Sequence, residues 1–433
     1  MNLKRKIAAV LLTVCVALFL PTILMADNDT QHRELSRFIT QVLENNRDLT
    51  SIRWIIKEAE GKLKQSGLWP NPELELARTS DRNYNNEGEY TASVGFVQKF
   101  PISGRLSKAK DVARVDVALA LAEVRELERT VIRDALKVAF ELCVTEKLLS
   151  YNSQSEKTLQ DLIKISEQRL KQAEISKADL NLEKIELQKI KLSSANLKVE
   201  KQTALASMSA LLGGAPAKAI KFSCPFSSYL AQSFLLIPAE QAISLRPDYQ
   251  IAQLERDRAS AELRLAKAQT YEDWTIGFGY ERDVSNFDFV GAERQRDEFL
   301  GFRLSIPLPI WNQNEGRINE TRASRSKAEA QVEAVSVQII KEIDSARAKV
   351  VGLSPVIEQY ENESLNLAEQ NVKLLNQSYR DGLLPISAVI QGQQQLVDVR
   401  QSYGNTLREY LLAVVELEFS LAANPFLNRG QNE

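Results

Sequence analysis

DWTIGFGYERD, residues 273–283, and EFLGFRLSIP, residues 298–307, alternate apolar with small or polar side chains. This two-residue period is typical of β-strands that have one apolar face. The same pattern occurs about two hundred residues earlier, in PELELARTSD at 72–81 and YTASVGFVQKF at 90–100. In each pair a polar loop joins the two segments, and a long helical pattern follows them. The chain is therefore predicted to contain two similar units, each with one strand hairpin.

Large apolar side chains collect on one face of the four predicted strands, and small or polar side chains occupy the other. Each strand has about ten residues, the length that a tilted strand needs to cross a bilayer. We therefore predict a transmembrane β part in a mainly α-helical protein. The candidate lipid-facing residues are Tyr90, Val94, Phe96, Trp274, Ile276, Phe278, Tyr280, Leu300, Phe302, Leu304 and Ile306.

The helical patterns are unusually long. Residues 107–172 contain neither proline nor glycine, and their apolar residues recur at a spacing that suits coiled-coil packing. A helix of this length would extend about 90–100 Å, which no compact globular domain contains. The predicted long helices are 107–172, 178–212, 317–380 and 385–422, and the third is expected to break near Leu353–Pro355.

Matching landmarks in the two halves indicate an internal duplication with small insertions. The offsets are 200 for Asp48 and Asp248, 206 for Pro101 and Pro307, and 209 for Gln168 and Gln377. The predicted segments are a signal peptide at 1–26, a first repeat at 27–216, a linker at 217–238, a second repeat at 239–424 and a tail at 425–433.

Composition excludes several functional classes. The 433 residues carry a net charge of −2, so no strong field favours nucleic acid. His32 is the only histidine, which rules out a Ser–His–Asp triad or a histidine-rich zinc site. No phosphate-binding loop and no metal-ligand cluster is apparent. We therefore expect a protein that is not an enzyme and that has no cofactor and no metal site.

The N-terminus has the pattern of a secretory signal. Basic residues at 4–6 precede an apolar stretch, and Ala26 is a suitable small residue before the cleavage point. A lipoprotein site at Cys15 is disfavoured because Val14 stands where glycine or alanine is usual. Cys143 is interpreted as a small buried residue on a helix, and a disulfide with Cys224 is an alternative that the spacing does not decide.

Four strands in one chain cannot close a transmembrane barrel, because about eight strands are the practical minimum. An open sheet edge is not tolerated in lipid. Several chains must therefore share one barrel. Two alternatives are a soluble sandwich and a periplasmic coiled-coil adaptor or scaffold, but neither accounts for the duplicated amphipathic hairpins.

Three motifs, in this architectural order, resemble the TolC-like outer-membrane efflux family. They are Arg246-Pro247-Asp248 at the start of the second unit, QKFPISGR at 98–105 after the first hairpin, and SIPLPIWNQNEG at 305–316 after the second. The two corner motifs are most similar to the heavy-metal branch of the family, the cobalt–zinc–cadmium resistance type. The resemblance covers nearly all of the mature chain.

The resemblance implies a homotrimer in the bacterial outer membrane, with four strands per chain in a shared twelve-stranded barrel. Long helices would continue the barrel as a periplasmic tunnel. The tunnel would dock with a periplasmic adaptor (membrane fusion) protein and an inner-membrane pump of the resistance-nodulation-division type. The protein would be a passive exit duct for heavy-metal cations; the alternative cargoes are drugs and, in type I secretion, proteins.

The resemblance also implies a gate at the helix turns 172–179 and 380–385. Asp179 matches an aspartate that rings the pore in the family, and Tyr379 matches a tyrosine of the gating contacts. An ordinary acidic residue in the first turn of a helix is the competing interpretation of Asp179. The chain departs from the family at three positions: Ala173 replaces the usual glycine, and Ala388 and Gln391 replace residues that are acidic in some members.

Overall fold

The computed structural model describes residues 22–83, 87–216, 237–286 and 294–422, and only the backbone of residues 22–33. The helices in chain order are α1 Thr22–Asn45, α2 Arg47–Ser66, α3 Arg105–Lys171, α4 Lys177–Leu211, α5 Ala239–Leu245, α6 Pro247–Ala268, α7 Glu315–Gln359, α8 Leu365–Arg380 and α9 Ile386–Ser420. The strands are β1 Glu73–Ser80, β2 Tyr90–Phe100, β3 Trp274–Asn286 and β4 Arg294–Ser305.

Several predicted segments lie largely outside the described residues. They are most of the signal peptide, nearly all of the linker at 217–238 and the tail at 425–433. Within the described part of the chain, no helix combines the length and the apolar character that a membrane span requires.

Two compact units divide the chain. The helical unit comprises Met1–Ser51, Arg125–Arg246 and Ser336–Glu433, and the sheet unit comprises Ile52–Val124 and Pro247–Val335. Each unit draws on both predicted repeats. The duplication is therefore a property of the sequence order, whereas each compact unit combines segments from both halves.

The sheet unit contains one antiparallel sheet in the order β1-β2-β3-β4. Alternating sequence produces it, because every second side chain of a strand points to the same face. β3 and β4 extend further toward their connecting loop than predicted, and Ile306 lies one residue beyond the end of β4. Strand pairing in this longer hairpin runs from Thr275 opposite Ser305 to Asn286 opposite Arg294.

In the helical unit, buried arginines hold the end of α9. Arg129 donates to the carbonyl oxygen of Phe419 at 2.7 Å, and its guanidinium lies 3.8 Å from the Phe419 ring centre. Arg246 donates to the Ser420 carbonyl and forms an ion pair with Glu342. Cationic donors at the last carbonyls satisfy groups that a helix terminus leaves unpaired. This gives a structural reason for the arginine of the Arg246-Pro247-Asp248 motif, and Pro247 opens α6 as expected.

The expected helix break near Leu353–Pro355 was wrong. α7 continues through Pro355 to Gln359, and a π-helical turn at Tyr360–Ser364 then joins it to α8. The π turn contributes Glu361, which accepts a hydrogen bond from the Tyr403 hydroxyl at 2.6 Å. Lys147 donates to the same hydroxyl at 3.0 Å. Burial lowers the pKa of Lys147 and raises the pKa of Tyr403, so this polar contact is shielded from water.

Cys143 is buried in α3 and is disulfide-bonded, and its partner lies outside the described residues. The interpretation as a simple apolar residue is therefore incomplete.

Gly213 ends α4 in a position that only glycine suits. Its φ is +71°, and a Cβ there would lie 2.3 Å from the carbonyl oxygen of Asn45. The close approach lets Asn46 and Arg47 donate side-chain hydrogen bonds to the carbonyls of Leu211 and Gly213. The break between α1 and α2 is thereby fixed against the end of α4.

We predict that Gly213→Ala lowers the stability of the folded protein by at least about 2 kcal/mol, through backbone strain and the collision with Asn45. Gly352→Ala is the control, since it lies inside α7 with open space around it. Alanine there should stabilise the protein by about 0.5–1 kcal/mol. Thermal unfolding in detergent, followed by circular dichroism, measures both. Equal midpoints for the two variants would contradict the assignment.

Candidate functional site

The apolar face of the sheet is continuous across all four strands. Register places Leu74, Phe96, Phe278 and Phe302 in one row. The next row contains Leu76, Val94, Tyr280 and Leu300. The Phe278 and Phe302 ring centres are 5.2 Å apart. Leu74 and Leu76 extend the predicted patch onto β1.

Large side chains of this face are exposed within the single chain. The exposed fraction is 88% for Leu300, 62% for Phe302 and 60% for Phe278. Ile276 and Tyr90 are half-buried, and the Arg78 guanidinium lies over the Tyr90 ring. A contiguous apolar surface of this kind marks an interaction site rather than ordinary solvent-exposed surface. We call this surface the apolar face.

Aromatic residues cluster where the strands meet the helices. Trp69 and Phe100 make an edge-to-face contact with ring centres 5.8 Å apart. Phe100 pairs in register with Trp274, and Trp311 in the second corner is 94% exposed. Tryptophan with one apolar and one polar edge favours a membrane–water interface.

The opposite face of the sheet is small and acidic. Gly95, Gly279 and Gly301 are paired in one row, which leaves the backbone bare there. Acidic residues outnumber basic ones on this face, and Lys99 is already ion-paired with Glu73 at 2.9 Å. The charged residues of this face in the described strands are Glu73, Glu75, Lys99, Glu281, Asp283, Asp297 and Arg303.

Asp179 caps a helix. Ser176 is the N-cap of α4, and its hydroxyl oxygen accepts from the Asp179 backbone N–H at 3.1 Å. The Asp179 carboxylate accepts from the backbone N–H and the hydroxyl of Ser176. This reciprocal capping box satisfies the helix start. The pore-lining role implied by the resemblance stays a prediction.

Tyr379 is buried at the end of α8. Its hydroxyl lies 2.7 Å from the Ser166 hydroxyl, and Ser166 in turn donates to the Glu183 carboxylate. Arg169 stacks over the Tyr379 ring and donates to the carbonyls of Tyr379 and Arg380, each at 2.9 Å. These contacts join α3, α4 and the end of α8. The gating role of Tyr379 stays a prediction.

Sequence reasoning missed Glu183. Its side chain is fully buried, one carboxylate oxygen has no partner within the described residues, and burial raises its pKa. Leu180, Glu183, Leu187 and Ile190 follow one helical stripe. An acidic residue within an otherwise apolar stripe was the available signal.

The two turns next to these residues share one geometry. Ala173 and Gly382, which are 209 positions apart, have φ of +60° and +74°. Glu174 donates to the Arg169 carbonyl and Leu383 to the Ser378 carbonyl, which is the same helix-ending hydrogen bond. The conformation explains why glycine is favoured at Ala173, and the alanine there is accommodated with a left-handed backbone.

The described residues contain no group of three or more His, Cys, Asp or Glu side chains that could hold a metal ion. What the geometry presents is an apolar sheet face, an acidic sheet face and long helix pairs that end in hydrogen-bonded turns. These features together define the class of protein to which the chain belongs structurally: long paired helices joined to a sheet with one exposed apolar face.

The family comparison agrees with this class. A model described as outer membrane efflux protein matches residues 38–214 and 239–423, one stretch in each predicted repeat. The chain belongs to the outer membrane efflux protein family. It is accordingly a protein of the bacterial outer membrane with a large helical periplasmic part.

Solved structures share the fold at low sequence identity. A membrane protein from Pseudomonas aeruginosa superposes with a TM-score of 0.74 at 18% identity, with 90% of this chain and 92% of that one covered. CusC gives 0.75 at 16% identity over 90% and 92%, and the outer membrane protein VceC from Vibrio cholerae gives 0.70 at 18% over 90% and 96%. A comparison with curated protein sequences finds no match.

We predict that Glu183→Gln removes a pH dependence of stability. Because the folded-state pKa is raised, the stabilising contribution is complete below the ordinary glutamate pKa and is lost as pH rises through the raised value. The wild type should therefore lose up to about 1.4 kcal/mol per pH unit across that window. The variant should not, since glutamine keeps the acceptor for Ser166 without a charge.

Thermal unfolding as a function of pH checks this. The charged neighbours of Glu183 are Asp179 and Lys184 on its own helix and Glu167 on α3. Glu167→Gln is the matched control, because Glu167 is exposed and ion-paired with Lys184 at 3.0 Å. A Glu183→Gln profile that parallels the wild type would contradict the assignment.

Proposed function

We propose that this protein is the exit duct of a tripartite efflux system, built from three copies that share one twelve-stranded barrel in the outer membrane. The observation that carries the proposal is the four-stranded sheet, in which β1 and β4 are terminal strands. Their outer edges have no strand partner within the described chain. In hydrocarbon such backbone groups must be paired, so the edges require neighbouring copies.

Stoichiometry follows from strand number. One sheet of four strands is too small to close, whereas three sheets provide an even number of strands in the range of known barrels. The β1 edge of one copy would pair with the β4 edge of the next. This head-to-tail contact closes into a ring, as a cyclic assembly requires.

The orientation of the sheet in this barrel is supported by its two faces. The apolar face carries Phe278, Phe302 and Leu300 in exposed positions, and would contact lipid. The opposite face, with its glycine row and acidic residues, would line a wet lumen. Small side chains on that face keep a passage open.

The helical unit would supply the periplasmic part that meets an adaptor protein and an inner-membrane proton-driven pump. The turns at 172–176 and 381–385 would form its tip, with Asp179 at the pore. Tyr379, Ser166 and Arg169 hold the adjacent helix ends together, which supports a closed resting state. The adaptor would act by replacing these contacts. As a duct, the protein would conduct passively and perform no chemistry.

Heavy-metal cations are the cargo that the chain supports best. The two corner motifs resemble the heavy-metal branch, and the presumed lumen face has five acidic and two basic residues in the described strands. A net negative lining concentrates cations. Selection would then lie with the pump or the adaptor. Drugs and proteins are the alternative cargoes.

Ile276 and Leu304 are opposite each other in register. We predict that Ile276→Arg and Leu304→Arg each destabilise the membrane-inserted barrel by about 2–4 kcal/mol and impair insertion. The matched controls are Thr275→Arg and Ser305→Arg, an adjacent pair on the other face. They should insert, because their side chains would face water. Outer-membrane fractionation and heat-sensitive trimers in detergent are the measurements. Equal insertion of both pairs, or a monomer that is stable without detergent, would refute the duct.

We predict that the reconstituted channel prefers cations, and that Glu75→Gln together with Glu281→Gln reduces the preference. The control is Glu298→Gln, since Glu298 lies on the apolar side of the sheet. Reversal potentials in a KCl gradient across a planar bilayer measure the effect. A channel that prefers anions, or a Glu298→Gln variant that loses as much cation preference as the double variant, would contradict the assignment of the acidic face to the lumen.

Growth tests identify the cargo class that this channel serves. Deleting the gene should sensitise the host to divalent metal salts more than to dyes or antibiotics. Sensitivity to dyes and antibiotics alone would favour the drug-efflux alternative.

A further inference from the structure

The apolar side of the sheet carries four arginines beyond the apolar rows at the loop end: Arg78, Arg282, Arg296 and, farthest from those rows, Arg294. Register places Arg78, Ala92, Arg282 and Glu298 in the row that follows Tyr280 and Leu300. The next row contains Tyr90, Val284 and Arg296. We call Arg78, Arg282 and Arg296 the arginine rim.

Charge is unevenly divided between the two faces at this end of the sheet, and Glu298 is the one acidic residue of the described strands on the rim side. The rim faces the same way as the apolar residues, whereas Glu281, Asp283 and Asp297 face the opposite way. Thr91 donates to Asp283 at 2.7 Å on that acidic side. Arginines that served only to solvate a loop would have no preference for one face. The sorting therefore indicates a function on the apolar side.

The rim arginines are not neutralised by the chain itself. No ion pair to any of the three guanidinium groups forms within the described residues, even though Glu298 is opposite Arg282 in register. The Arg282 Nε is buried without a hydrogen-bond partner there. Elsewhere in the sheet unit, Arg105 pairs with Asp273 and Lys99 pairs with Glu73. The rim thus keeps its positive charge without an ion-pair partner in the described part of the chain.

Spacing suits a shared tetrahedral anion. Arg282 and Arg296 are diagonal neighbours on adjacent strands, about 7–8 Å apart at their Cα atoms. Arg78 and Arg282 are two strands apart, about 9–10 Å, and the small side chain of Ala92 lies between them. Arginine side chains are long enough to reach across such a gap, and their guanidinium groups match the oxygens of a phosphate.

We propose that the arginine rim binds the phosphate groups of a membrane lipid whose acyl chains lie along the apolar face. A lipid is the occupant because the rim is continuous with an apolar surface, and Tyr90 beside it has the amphipathic character of an interface residue. The site would hold the barrel at a fixed depth in the membrane. The inference rests on the proposed function, since it requires the apolar face to contact lipid.

The test compares diphosphorylated lipid A with the same lipid after enzymatic dephosphorylation, each added to the full-length trimer in dodecyl maltoside. Phosphorylated lipid should raise the thermal midpoint and stay bound in native mass spectrometry, whereas dephosphorylated lipid should do neither. Inorganic phosphate at the same concentration is the third arm. If inorganic phosphate raised the thermal midpoint as much as the phosphorylated lipid does, the rim would be a site for free anions and not for a lipid.

Variants locate the site. Arg78→Gln, Arg282→Gln and Arg296→Gln should each weaken binding of the phosphorylated lipid about tenfold. Arg303→Gln is the control, because Arg303 is on the opposite face of β4, and it should bind as wild type does. Unchanged binding by all three rim variants, or an equal loss in the control, would overturn the proposal. The comparison of the two lipids uses the wild-type protein alone, so it still tests the proposal if a rim variant fails to fold.

The insertion variants separate this inference from the function on which it rests. If Ile276→Arg blocks insertion and the wild type shows no preference for phosphorylated lipid, only the rim assignment fails. If Ile276→Arg inserts normally, the lipid-facing assignment itself fails.

Discussion

The outer edges of β1 and β4 carry backbone N–H and C=O groups that no strand of the described chain pairs. In water this arrangement would cost little, but in hydrocarbon each unpaired group costs several kcal/mol. Assembly, lipid contact and the opposite character of the two sheet faces in our proposal all depend on this constraint. It also explains why the apolar side chains of a single copy remain exposed: the surface that covers them is not part of the chain.

The helical unit depends on a different principle, since its helices are held together by buried polar contacts as well as by apolar packing. Arg129 and Arg246 hold the last carbonyls of α9, and Arg169 does the same at the end of α8. Such contacts are directional. They define particular helix ends, because each donor reaches the last carbonyls of one helix.

Much of the fold could be predicted because side-chain period and chain breakers act locally. Alternation at Trp274, Ile276, Phe278 and Tyr280 indicated a strand with one apolar face, and the structure has it. The expected break at Pro355 failed for an equally physical reason. A proline removes one backbone hydrogen bond but does not always end a long helix, and α7 continues through the exposed Pro355. The backbone irregularity lies instead at Tyr360–Ser364, where Glu361 meets Tyr403.

The candidate gate was predicted only in part. Asp179 and Tyr379 were selected by resemblance. The capping contacts of Asp179 are with Ser176, three residues away. Tyr379 instead meets Ser166 across 213 positions, and no local pattern encodes such a distance. The sequence by itself determined the helix and strand periods, the duplication and the apolar face, because each is set by neighbours along the chain. Tertiary structure alone decided that Glu183 is buried, that Tyr379 meets Ser166 and that the rim arginines align across strands. Those properties arise from register and packing between segments that only folding brings together.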